Sequence, residues 1–356
     1  MLKRGVTYED NLLAWFLQCQ DHAERKDISV ELLGPDGKTV RSWQFLAAFP
    51  VKWQGPALNA ASANAATETL EIAFEDSGPA GGPAVILLHG WPDDAQGWRE
   101  VSPTLNAAGF RTVTPYLRGC GGTRFRESGA VRDGRAVALA QDAVDLADAL
   151  HIETFAVAGH DWGARAAYTL AALCPGRLRS IAALAVGYSP RGEITVPAAF
   201  SQARRGWYQW FMATDAGAAA VRRDPRGFAR IQWETWSPEG WFDGPEFDQT
   251  AASFDNPDWV EVTLNAYRSR WREEPADPRY AGLQAQLKTI ATIGVPTLMI
   301  QGADDRCDPP SESEGQERCF RRGYRRVVWD GVGHFPAREV PRHVSRELLA
   351  HLKSTF

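Results

Sequence analysis

An α/β fold is predicted for this chain: a mostly parallel sheet flanked by helices, with an inserted helical lid and a β-rich N-terminal extension. Three observations predict it. From residue 83 onward, short apolar runs alternate with helix-length amphipathic runs, the pattern of a buried parallel sheet. The alternation breaks between residues 189 and 280, where seven of the fourteen tryptophans fall. Residues 1–75 read instead as strands joined by turns.

Taken in order, ISVELLGPDGKTVRSWQF (28–45) reads as strand, Pro-Asp-Gly turn, strand. PALNAASANAATETLEIAF (56–74) follows as a small-residue polar stretch and another strand. AVILL (84–88) and RTVTPY (111–116) are strands, and 138–150 has the periodicity of an amphipathic helix. FAVA (155–158) is a strand that runs into a helix of small residues at 164–173. IAALAV (181–186), TLMIQ (297–301) and RVVW (326–329) are further strands, and 344–352 closes the chain as a helix. The expected domains are an extension at 1–75, a core at 76–188 and 281–356, and a helical lid at 189–280.

Composition narrows the function classes. With 44% hydrophobic and 23% charged residues the chain reads as a soluble globule. A net charge of −5 and the lack of a basic run argue against nucleic acid or an anionic membrane as partner. Five cysteines without a CxxC pair argue against a disulfide framework or a zinc site, so no metal or cofactor is expected. No stretch reaches the roughly 18 apolar residues of a membrane span, and a cytoplasmic location is the expectation. Self-association into a homo-oligomer is compatible with all of this.

Three strand ends carry candidate chemistry, because a parallel sheet presents its functional residues at the carboxyl ends of its strands. AGHDWGAR (158–165) has the outline of a nucleophile elbow, with glycines two before and two after Asp161 where serine is usual. An aspartate is already anionic at neutral pH and sits at a helix N-terminus, so no base need activate it. A carboxylate attacks saturated carbon and leaves an alkyl ester. His334, in GVGHFP after a late strand, suits the general base that activates water against such an ester. In GADDRCDPP, Asp305 is the expected acid partner of the histidine and Asp304 the fallback. Backbone N–H groups of Trp162, after the elbow, and Trp91, in HGWP, are the expected oxyanion donors.

Together HGWPDD, PYLRGCGGTRF, GHDWGAR, GADDRCDPP and GVGHFPAREVP resemble the α/β-hydrolases that use an aspartate nucleophile, over roughly residues 68–356. That group holds epoxide hydrolases, haloalkane dehalogenases and fluoroacetate-type dehalogenases. The resemblance implies an α/β-hydrolase fold with a cap domain, an Asp161–Asp305–His334 triad and an ester mechanism. It further implies two lid tyrosines of epoxide hydrolases, matched by Tyr208 in GWYQWF and Tyr267 in LNAYR. These would hold the epoxide oxygen. His89, Pro92, Trp207, Trp210 and Phe335 are assigned to the wall of the substrate pocket.

The expected reaction is epoxide opening to a diol, on a small apolar epoxide and water. The alternative is a haloalkane or haloacid dehalogenase by the same ester route, in which the Trp162 indole N–H would bind halide. Fluoroacetate-type enzymes place arginines directly after the nucleophile and three residues later; Arg165 matches the second, and Trp162 stands at the first. LKRGVT, SVELLGPDG, FPVKWQGPALNAAS and ETLEIAFE resemble the C-terminal half of contractile phage tail tube proteins over about 75 residues. From that stretch comes a reading of another class, a phage-tail-like structural subunit with a hydrolase-derived passenger.

Overall fold

The structure is a computed structural model that describes residues 26–33, 39–48, 62–67, 69–193 and 199–356. The chain divides into two compact units, Met1–Asn59 and Ala60–Phe356. In the first, β1 (Lys26–Leu33) and β2 (Thr39–Ala48) form an antiparallel pair with Val30 opposite Trp43. The Pro-Asp-Gly turn expected between them lies outside the described residues.

The second unit is built on one sheet. Its strands, among the described residues, are β3 (Ser62–Ala66), β4 (Leu70–Ser77), β5 (Ala84–Leu88), β6 (Arg111–Pro115), the two-residue β7 (Arg124–Phe125), β8 (Phe155–His160), β9 (Leu178–Leu184), β10 (Thr297–Gly302) and β11 (Tyr324–Trp329). Their spatial order is β11-β10-β9-β8-β5-β6-β4-β3, with β7 on β4. From β6 to β11 every pairing is parallel, whereas β4 runs antiparallel to β3, β6 and β7.

Every residue of β5, β8 and β10 is buried. That is why these strands read as continuous apolar runs and not as alternating ones. The pleat sends Ile86 and Leu88 to one face of β5 and Val85 and Leu87 to the other, into two separate core clusters. On one face pack α1 (Ser102–Ala107) and the closing helix, and on the other α2 (Ala136–Ala149) and α3 (Trp162–Leu173). Each fully buried Val, Leu or Ile contributes about 1.5–3 kcal/mol, so the strands at the sheet centre anchor the unit.

Two expectations shift. The division expected at 75/76 cuts through β4, whose Phe74–Ser77 pair with Thr112–Pro115. Both β3 and β4 therefore belong with the second unit. Nor does the expected reading include β3: its SANAA sequence has no β-branched or aromatic residue, and only its pairing with β4 makes it a strand.

Between β9 and β10 the chain leaves the sheet and forms short helices, among them α4 (Trp207–Ala213), α5 (Pro225–Trp236) and α6 (Trp259–Arg268). Residues 194–198 of this segment lie outside the described residues. Its helices bury one face each, with Trp233, Trp236, Trp259 and Tyr267 nearly inaccessible. They lie over the carboxyl ends of the strands, as the contacts below describe. Among the described residues no helix is long and apolar enough to cross a membrane.

Candidate active site

The loops after β5, β8, β10 and β11 converge at one end of the sheet. After β8 the chain turns so sharply into α3 that Asp161 adopts φ 48° and ψ −108°. For a residue with a side chain this costs on the order of 1–3 kcal/mol. Two glycines make the turn compatible with its surroundings. A Cβ on Gly159 would stand 2.1 Å from the Gly163 carbonyl oxygen, and one on Gly163 would stand 2.2 Å from that of Leu88. No side chain fits between these backbones.

The Asp161 carboxylate is buried and points between two loops. Its Oδ1 accepts a hydrogen bond from the Trp91 N–H at 2.9 Å. Trp162, the first residue of α3, carries one of the N–H groups that a helix start leaves free. On the other side, Oδ2 stands 3.7 Å from His334 Nε2. That nitrogen is buried and has no hydrogen-bond partner among the described residues. The other ring nitrogen, Nδ1, is 2.8 Å from Asp305 Oδ2. Asp305 is held in turn by the N–H groups of Cys307 and Asp308, both on its Oδ1, at 2.8 and 2.9 Å. Asp304 faces away and accepts from the Gly331 N–H, so it braces a turn.

Electrostatics follow from this arrangement. Burial alone would raise the Asp161 pKa, but the His334 and His160 rings and the Trp91 N–H outweigh it and hold the group down to about 2. Burial disfavours a charged His334, yet the Asp305 and Asp161 charges prevail and hold its pKa well above the ordinary value. Burial pushes Asp305 up, and His334 pulls it back. The ring is thus an imidazolium between two carboxylates. His160 is different: burial and the His334 charge lower it to about 4, and its Nε2 donates to the His334 carbonyl at 2.7 Å.

The insertion supplies the roof. Tyr208 of α4 and Tyr267 of α6 meet edge to face, ring centroids 5.3 Å apart, and both pack on Trp91. Each hydroxyl already accepts a hydrogen bond. The Trp162 indole N–H donates to Tyr267 at 3.0 Å, and the Gln209 amide donates to Tyr208 at 3.1 Å. The Trp91 indole N–H donates to Thr263 Oγ1 at 3.0 Å. Burial pushes both phenols well above their ordinary pKa, and the Asp161 charge pushes Tyr267 further.

Not every expected pocket residue faces this centre. His89 donates to the Gly90 carbonyl and accepts from the Leu117 N–H, so it braces the loop that carries Trp91. Pro92 offers its carbonyl to the Trp233 indole at 2.7 Å. Trp207 is 37% exposed and packs outward on Phe211 and Phe228, because its neighbour Tyr208 takes the inward face of α4. Trp210 stacks on Trp271 beside a cavity, 3.8 Å between centroids. Phe335 packs behind the histidine against Trp241 and His160.

Residues without an expected role do approach it. Trp236 stands edge-on to His334 at 4.8 Å, and Trp259 stacks on Trp91 at 6.0 Å. Their tryptophan-rich segment was the available signal. Glu339 accepts from the Gly333 and Phe335 N–H groups and from Ser237, which itself accepts the His334 N–H. It thereby fixes the histidine loop; it lies within the GVGHFPAREVP stretch, which singled out His334 and gave Glu339 no role. Cys307, Asp308 and His334 form the one cluster of metal-ligand atoms among the described residues. It does not suit a metal, because burial holds the Cys307 thiol protonated and the Asp305 and Asp161 charges hold His334 protonated.

Comparison with known proteins finds matches over both parts of the chain. The alpha/beta hydrolase fold family matches residues 83–338, and the T4-like virus tail tube protein gp19 family matches residues 1–77. Epoxide hydrolase A of Mycobacterium tuberculosis is 27% identical over 318 residues, spanning 80% of this chain and 95% of that protein. An epoxide hydrolase of Caballeronia sordidicola is 28% identical over 77% of this chain and 88% of its own length. A Klebsiella pneumoniae protein provisionally assigned as an epoxide hydrolase has a crystal structure that superposes with a TM-score of 0.76. It is 37% identical and covers 81% of this chain and 96% of its own. The family model spans well over half of the chain, and the chain belongs to the α/β-hydrolase fold family.

Proposed function

We propose that this enzyme opens epoxides to vicinal diols through an ester on Asp161. Asp161 Oδ1, held by the Trp91 N–H, becomes the ester carbonyl oxygen, and Oδ2 attacks a ring carbon. As the new C–O bond forms, the ring C–O bond breaks, and Tyr208 and Tyr267 hydrogen-bond the departing oxygen and supply its proton. Water then loses a proton to His334 Nε2 and attacks the ester carbonyl carbon. The tetrahedral anion is met by the Trp91 and Trp162 N–H groups. Its collapse passes the second proton of the attacking water to the departing oxygen, releases the diol and the Asp161 carboxylate, and leaves His334 as the imidazolium of the resting site. Asp305 keeps the ring in its tautomer and balances the imidazolium.

Esterification itself prepares the second half. It removes the Asp161 charge, one of the two that hold His334 protonated, so His334 gives its proton to the phenolate left by ring opening and is a neutral base when water attacks.

The observation that carries the epoxide reading is the bond from the Trp162 indole N–H to the Tyr267 hydroxyl. A phenol has one hydrogen and two lone pairs. With a lone pair engaged by Trp162, the Tyr267 hydrogen is free for the epoxide oxygen. The same bond uses the indole donor that a halide would need, and Thr263 uses the indole of Trp91. Both indole donors that a haloalkane's halide would use are thus engaged among the described residues. The net charge of −5 and the lack of a membrane-crossing helix among the described residues support a cytoplasmic reaction without nucleic-acid or membrane partner.

The test is to incubate His334→Gln with a panel of epoxides and haloalkanes and weigh the intact protein. Epoxides are expected to add their whole mass, and Asp161→Asn is expected to abolish the adduct. Adducts from haloalkanes alone, at the mass of the alkyl group without halogen, would overturn the epoxide reading.

A further inference from the structure

We propose that the cavity beside Trp162 is a carboxylate-binding subsite, anchored by Arg165 and Arg270, so that the natural substrate is an epoxide carrying a carboxylate. This rests on the reading of Asp161 as the residue that attacks the epoxide.

The cavity has a volume of about 370 Å³. Its apolar wall includes Trp162, Ala266 and Leu287, and its polar wall carries Arg165 and Arg270, with Arg135 and Lys288 at other points. Among the described residues no acidic side chain lines it. Cations gathered around one cavity repel one another, and an anion that joins them offsets that repulsion.

The cations differ in how far they are already satisfied. Arg135 is paired with Asp133 through two hydrogen bonds of 2.9 and 2.7 Å. Arg270 has no ion pair among the described residues. Its Nη1 donates to the neutral Gln209 at 3.0 Å, and its Nε is buried with no partner. The Arg165 guanidinium has neither ion pair nor hydrogen bond among the described residues. Burial and then the nearby Arg165 charge hold Arg270 below its ordinary pKa, as two cations facing one space require.

A second cavity, of about 310 Å³, shares both arginines but is also lined by Glu193, Asp308 and Glu312. Asp308 is the principal charge supporting Arg165. Burial and Asp308 push Glu312 up to about 8, so it is largely neutral at pH 7. An anion is therefore drawn to the first cavity, away from these carboxylates.

Position ties this subsite to the reacting centre. Arg165 lies four residues after Asp161, and Arg270 lies three residues after Tyr267, its guanidinium 4.6 Å from the Tyr267 ring centroid. Each arginine thus sits about one helical turn, roughly 5.4 Å of rise, beyond the residue that would touch the epoxide. A carboxylate on the arginines and an epoxide between Asp161 and Tyr267 are then joined by a short aliphatic spacer, which the apolar wall accommodates. Arginine forks match carboxylates in two parallel bonds.

The experiment compares epoxyhexanoate with its methyl ester in wild type, Arg165→Gln and Arg270→Gln. Wild type is expected to favour the acid in kcat/KM by about 10- to 100-fold, mostly through KM. In either variant the acid-to-ester ratio is expected to fall towards one. A wild-type ratio of one or below, with the ester turned over, overturns the subsite while the epoxide reading stands. If neither compound is turned over, calorimetry with hexanoate separates the two ideas. Binding lost in both variants upholds the carboxylate site and overturns the reaction, whereas no binding by wild type overturns the site as well.

Discussion

Replacing Tyr267 by phenylalanine isolates the group on which the choice of substrate turns. The substitution removes one hydroxyl from a site where that oxygen accepts from the Trp162 indole at 3.0 Å and its hydrogen is free to donate. Losing one preplaced donor to a developing oxyanion costs about 10²- to 10³-fold, or about 2.7–4 kcal/mol. Tyr208 stands 5.3 Å away, centroid to centroid, and retains its own hydroxyl, so ring opening is slowed and not abolished. The variant also leaves the buried Trp162 indole N–H without an acceptor, which costs about 1–3 kcal/mol of stability. The assay is single-turnover stopped flow, reading the fluorescence of the tryptophans around the site. Ester formation is expected to slow by about 10²- to 10³-fold, while ester hydrolysis, which involves His334 and the backbone donors, changes by less than about tenfold. If ester formation keeps its rate, or if hydrolysis is the step that slows, the phenol does not touch the departing oxygen and the reasoning fails.

Four further outcomes follow from the same geometry. Ester formation needs ionised Asp161, held down to about 2, and two phenols held well above their usual pKa, so its rate is expected to be flat between about pH 4 and 9. Ester hydrolysis needs neutral His334 and is expected to rise with pH to a plateau; a shared acid limb in pH-dependent stopped flow would count against these assignments. Gly163→Ala drives a Cβ to 2.2 Å from the Leu88 carbonyl oxygen and is expected to lower Tm by about 5 °C or more, whereas Gly176→Ala, with nothing within 4 Å, leaves it unchanged in calorimetry. Burial lowers His89, His160 and His351 to about 4 from 6.5, so below pH 6.5 the unfolded chain takes up protons that the folded one refuses. Stability is therefore lost as pH falls from 6.5 towards 4, by up to about 3 kcal/mol per histidine, readable in denaturant titrations. Deleting residues 1–59 is expected to leave a folded, active hydrolase, whereas deleting 1–77 removes β3 and β4, bares β6 and yields aggregate by size-exclusion chromatography.

The elbow was legible because its constraint is local and steric. Only glycine fits at 159 and 163, and the apolar β8 must precede them, so the motif carries its own fold. The proposed acid and histidine were legible for a related reason: each follows a strand of the same sheet, buried β10 and half-buried β11, and strand ends converge by topology. What sequence could not disclose is which way a side chain turns once two distant segments meet. Trp207 and Tyr208 are adjacent and equally aromatic, yet one faces solvent and the other Trp91. That outcome depends on how α4 is rotated against α6. The weak β3 strand was hidden because its register comes from β4 and not from its own alanines. Trp162 joins both kinds of information. Its N–H belongs to the elbow and could be read from the motif, while its indole is committed by Tyr267, 105 residues later in the chain. A donor aimed at a phenol prepares that phenol to give its own hydrogen to an oxygen. The same donor aimed into an empty pocket would have suited a halide. In the reaction proposed above, the leaving group is chosen by one hydrogen bond between core and lid, and the elbow alone is neutral between the two chemistries.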